Sequence, residues 1–237
     1  VVAARGEHAD NAGQYAGLVV NENGERARLR GLSGRAWVSH GSHQPFAVVV
    51  NFIAGEGVGG PIGTYVAQDP KNATRYLASV GQSGLTLPDR DYYLQDTEAY
   101  RNARAALVTY LAAAFKIAGA KPEAAAADAA AVVALETKIA TAHRTRVDLR
   151  DPNRNYNLTA EADWGKAADL PWRAMFDAMG AGGSAIKEAN LRQPEVIKAV
   201  ADLLRSEPAA SWRAYFRFRV INSQADVLPK SLRDARF

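Results

Sequence analysis

Gln82-Ser83-Gly84-Leu85-Thr86-Leu87-Pro88-Asp89-Arg90-Asp91-Tyr92-Tyr93-Leu94 divides the chain into two kinds of sequence. Pro88 keeps Leu87 out of the right-handed helical region, so the backbone runs extended here. Gly84 permits a close backbone approach. Upstream lie two β-prone runs, Ile62 to Gln68 and Arg75 to Val80, with Tyr65, Val66, Tyr76 and Val80 among them. Between them Asp69-Pro70-Lys71-Asn72 supplies turn chemistry: proline fixes φ near −65°, and the flanking Asp and Asn can bond the backbone. The pair reads as a β-hairpin.

Downstream the period changes to that of helices. Asp96 caps a run through Tyr100, Leu107, Leu111 and Phe115 that stops at Gly119. Pro122 suits the first turn of an alanine-rich helix continuing to about Val147, whose apolar stripe is Val132, Leu135, Ile139 and then His143. Asp169 and Pro171 open a helix with Trp172, Met175, Phe176 and Met179 on one face, ended by Gly180. Gln193 and Pro194 open another, with Val196, Ile197, Val200, Leu203 and Leu204, ended near Pro208. A last helix carries Trp212, Tyr215, Phe216 and Val220. Several such stripes bury themselves by packing on one another, at roughly 1.5–3 kcal/mol per large apolar side chain. The expected fold is mainly α, a multi-helix packed region with one small β-hairpin.

Residues 1–57 differ from the rest. They hold nine of the 19 glycines and three of the four histidines, with no lysine and one proline. Leu18 to Val20 and Phe46 to Ile53 are candidate strands without clean alternation. The stretch reads as an atypical N-terminal segment, altered and joined near Gly57 to a more regular region spanning 58–237.

The bulk composition narrows the function classes. An apolar content of 48% over 237 residues is ample for a core. There is no cysteine, which excludes disulfides and thiolate metal sites. The net charge of +4 comes wholly from residues 58–237 and is mixed with acids throughout. No basic stripe with interleaved aromatics appears, which argues against nucleic-acid binding. The longest apolar runs fall far short of the ~20 residues of a membrane helix, so no membrane segment is expected in this chain.

Asp69 to Asn72, Gln82 to Leu94, Arg150-Asp151-Pro152-Asn153-Arg154-Asn155-Tyr156-Asn157 and Trp212-Arg213-Ala214-Tyr215-Phe216-Arg217-Phe218-Arg219 follow one another in an order that resembles the neprilysin-like zinc metallopeptidases, which include the endothelin-converting enzymes. The likeness covers about Gly57 to Phe237, and the Leu-Pro-x-Arg-Asp-Tyr-Tyr-Leu portion is its most specific part. It implies a partial, helical, non-catalytic N-terminal domain (58–237) of a larger zinc metalloendopeptidase, covering a chamber where peptides are hydrolysed. It also implies an exported or periplasmic location. Zinc would serve the complete enzyme and be bound by no residue of this chain. Peptide substrates would be reached through a catalytic region following Phe237. The alternative is a stand-alone, non-catalytic helical module that binds peptides or proteins.

Zinc hydrolysis needs His-Glu-x-x-His on a helix and a third ligand. None of His8, His40, His43 or His143 begins that motif, so this chain alone is expected to be inactive. His40 and His43 lie on a glycine-rich stretch without a neighbouring carboxylate and read as loop. His143 reads as a core histidine with a hydrogen bond. Gly180 to Ser184 follows a helix rather than a strand and reads as a helix stop and linker, not a phosphate loop. Arg144, Arg146, Arg150 and Arg154 form the densest basic cluster. Their default is a salt-bridged face; the family resemblance adds the reading that they hold a peptide carboxylate in bidentate fashion. Within the signature, Gln82, Gly84, Leu85, Leu87, Pro88, Arg90, Asp91, Tyr92 and Tyr93 read as structural. Arg90 and Asp91 are expected to satisfy the backbone or each other, with lining of the substrate chamber as the functional alternative.

Overall fold

The computed structural model describes residues 58–178 and 185–224, together with a short backbone pairing nearer the N-terminus. That pairing joins β1 (Ala27–Arg28) to β2 (Trp37–Val38), antiparallel, with Ala27 opposite Val38. It belongs to a unit of residues 1–49, and everything below concerns the second unit, 50–237. The candidate strands at 18–20 and 46–53, and the linker 180–184, lie outside the described residues.

The expected hairpin is present. Strand β3 (Ile62–Asp69) pairs antiparallel with β4 (Asn72–Gln82). The turn chemistry works as anticipated: Asp69 Oδ1 accepts from Lys71 N at 2.8 Å, and Asn72 Oδ1 from Thr74 N at 3.1 Å. Two further strands extend it, β5 (Leu158–Ala160) and β6 (Glu188–Leu191), giving the order β3-β4-β6-β5. β6 runs parallel to β4, with Val80 opposite Leu191, and antiparallel to β5. At three and four residues, β5 and β6 are too short for their alternation to stand out in the sequence.

Helices dominate the remainder. They are α1 (Asp91–Leu94), α2 (Glu98–Ile117), α3 (Pro122–Ala142), α4 (Trp164–Ala167), α5 (Trp172–Ala178), α6 (Pro194–Ser206) and α7 (Ala209–Ser223). Helix α2 is capped by Thr97, whose hydroxyl accepts from Tyr100 N, rather than by Asp96. It closes with Gly119 at φ +87°. Helix α3 stops at Ala142, five residues before the expected Val147. The cause is competition: the Arg144 N–H is taken by Gln82 Oε1 at 2.8 Å instead of a helical carbonyl.

Two cores form. On one face of the sheet Ile62, Ala78, Val80, Ala189 and Leu191 meet Trp164, Trp172, Phe176 and the apolar stripe of α6. In the other, α2, α3 and α7 pack together through Leu107, Leu111, Phe115, Val132, Leu135, Ile139, Trp212 and Phe216, all buried. Phe218 lies 5.8 Å edge-to-face from Tyr110. The opposite face of the sheet presents Ser79 and Asn190, both buried. There Asn190 bonds the polar loop that follows α3, through the Asn155 carbonyl and Asn157 N.

Candidate functional site

The signature Gln82 to Leu94 leaves β4 and passes between the sheet core and the α2–α3–α7 bundle. Gln82, Ser83, Gly84 and Thr86 are each fixed by a hydrogen bond with a distant segment of the chain. Gln82 pairs with the Arg144 backbone as another strand would: its Oε1 accepts from Arg144 N (2.8 Å) and its Nε2 donates to Arg144 O (3.2 Å). The Gln82 N–H donates to Gln193 Oε1, and Gln193 Nε2 to Asn155 Oδ1 at 2.6 Å. Asn155 in turn donates to the carbonyls of Asp148, Leu149 and Asp151.

One residue on, the Ser83 carbonyl accepts from His143 Nε2 at 3.1 Å, which fixes the neutral tautomer with the proton on Nε2. His143 is 6% exposed, and its burial pulls the imidazole pKa down to about 4. Gly84 follows at φ +95°. A Cβ there would lie 2.5 Å from Pro61 Cα and from the Tyr215 hydroxyl, which donates to the Gly84 carbonyl at 2.9 Å. Positive φ and crowding together explain this glycine.

The centre of the arrangement is Glu136 on α3, which is 0% exposed. Its Oε1 accepts from the Thr86 hydroxyl at 2.7 Å. Its Oε2 accepts from Tyr93 Oη at 2.5 Å and Thr86 N at 3.2 Å. Tyr93 Oη also accepts from Leu87 N at 2.9 Å. Burial raises the Glu136 pKa against the opposing pull of these donors, and burial with the Glu136 charge raises that of Tyr93. With both groups shut off from solvent, this set can hold the loop but cannot reach a substrate. Glu136 and Thr86 were missed in the sequence, yet a signal existed. Glu136 is four residues after Val132 and three before Ile139, a carboxylate inside an apolar stripe.

Other signature residues have plainer surroundings. Leu85 is half-buried, Leu87 is buried and Pro88 is exposed. Asp91 opens α1, its N–H donating to Asp89 Oδ1 at 2.8 Å. Tyr92 lies 4.6 Å from Tyr100, ring to ring. Arg90 makes no pair with Asp91, and its Nε is buried without an acceptor among the described residues.

Of the four clustered arginines, three face acids. Arg144 grips Glu195 through Nε (2.5 Å) and Nη2 (2.9 Å), and donates Nη1 to the Arg154 carbonyl at 2.8 Å. That contact holds the Glu195 carboxyl below its usual range. Arg146 lies 3.3 Å from Asp89, and Arg154 pairs with Asp148. Arg150 is exposed, and its side chain has no hydrogen bond or ion pair among the described residues.

No group of three or more His, Asp or Glu among the described residues could hold a metal ion. His143, the one histidine described, is committed to Ser83; His8, His40 and His43 lie outside those residues. The described residues therefore do not fit a catalytic zinc. Among them, no helix is long and apolar enough to cross a membrane.

Residues 23–237 match the model of peptidase family M13, beginning inside the stretch that composition sets apart. Neprilysin-3 of Drosophila melanogaster is 26% identical over 183 residues, covering 73% of this chain and 23% of that protein. Endothelin-converting enzyme-like 1 of Rattus norvegicus is 27% identical over 174 residues, covering 72% and 22%. The crystal structure of the Mycobacterium tuberculosis zinc metalloprotease ZMP1 in complex with inhibitor superposes with a TM-score of 0.77 at 34% identity, covering 84% of this chain and 30% of that one. The chain thus spans less than a third of the length of these relatives.

Proposed function

As the chain belongs to peptidase family M13, we propose that it forms part of a zinc-dependent metalloendopeptidase and supplies the helical, non-catalytic cover over the chamber where peptides are cut. The observation that carries this reading is the likeness to the M. tuberculosis zinc metalloprotease, which takes in 84% of this chain but only 30% of that one. In this reading the metal is held by residues other than those described, and the chain alone is inactive.

The signature then serves as a brace. Gln82, Gly84, Leu87 and Tyr93 tie β4 to α3 and α7, so the sheet and the bundle move as one wall of the chamber. Peptide carboxylates are the ligand class for the cluster Arg144, Arg146, Arg150 and Arg154. Arg150 is its best candidate, because the other three are drawn onto Glu195, Asp89 and Asp148.

Intact mass and zinc content of the product purified from its source cells test the reading. The expected result is a species well above 25.5 kDa with about one zinc and peptidase activity lost to a chelator. A folded, zinc-free product of 25.5 kDa that binds peptides without cutting them would favour the second reading, a stand-alone binding module. That reading draws on the two closed cores of the described residues.

A further inference from the structure

We draw no further inference here: the strongest candidate, the apolar patch of exposed Val66 and Tyr76 where the β3–β4 hairpin carries the core face of the sheet outward, has nothing in the structure to show what covers it.

Discussion

Tyr93 Oη donates to Glu136 Oε2 across 2.5 Å, tying the end of the signature loop to the middle of α3. The same tyrosine oxygen accepts two backbone N–H groups of that loop, from Thr86 and Leu87. One phenol thereby relays a buried carboxylate to a stretch of chain that has no strand or helix of its own.

Tyr93→Phe and Glu136→Gln should each destabilise the chain by about 1–3 kcal/mol, since each leaves a buried donor or acceptor unmatched. The double mutant should cost less than the sum, with a coupling of about 0.5–3 kcal/mol. Urea denaturation of the four variants checks both statements; strict additivity would mean that the two groups do not act as a unit.

His143 makes stability depend on pH. Its folded pKa of about 4 lies below the ordinary imidazole value of 6.5, so the unfolded state binds the extra proton between those values. This contribution is whole above pH 6.5 and is lost as pH falls toward 4, in total on the order of 3 kcal/mol. Glu136 works in the opposite sense: with its folded pKa raised by burial, its contribution is present below pH 4.5 and lost as pH rises through the folded value. In His143→Gln, the loss of stability on acidification from pH 6.5 should disappear and the opposite slope from Glu136 should emerge. Chemical denaturation across pH 4–7 measures both.

Gly84→Ala should cost about 2–4 kcal/mol, combining a left-handed backbone with overpacking. Gly119→Ala is the control, because φ is +87° but nothing lies within 4 Å of the added methyl. It should cost about 1–2 kcal/mol. Comparable thermal shifts for the two would show that Pro61 and Tyr215 give way freely.

Within the arginine cluster, Arg144→Ala should cost about 0.5–1.5 kcal/mol, since it removes the ion pair to the exposed Glu195 carboxylate and the donor to the Arg154 carbonyl, both of which water can then solvate. Arg150→Ala should stay within about 0.5 kcal/mol. Denaturation midpoints of the two variants decide whether Arg144 is part of the frame.

The hairpin and the long helices were legible because each is a local matter. Proline, aspartate and asparagine set the turn at 69–72, and apolar spacing drew the stripes of α2, α3, α6 and α7. The end of α3 was not legible. Nothing near Ala142 in sequence stops a helix; Gln82 does so from sixty-two residues away. Strands β5 and β6 were hidden for a similar reason, being short and stabilised by partners distant in the chain. Arg90 shows the limit from the other side. Its position beside Asp91 suggests a pair, yet Asp91 is one residue on and opens a helix that carries it elsewhere. The four arginines looked like one patch in the sequence, whereas the acids that engage three of them come from separate segments.

The parallel pairing of β4 with β6 has a consequence during synthesis. Gln82 and Gln193, which close that seam, are 111 residues apart. At ribosomal rates of about 5–20 residues per second, β4 leaves the ribosome roughly 5–20 s before its second neighbour exists. For that interval the nascent hairpin presents Leu77, Val80 and an unpaired backbone edge to the cell, a template for pairing with other nascent chains. Crowded translation of this message should therefore favour aggregation through β4, and a chaperone that binds extended apolar segments should engage the chain before residue 193 is made and release it afterwards.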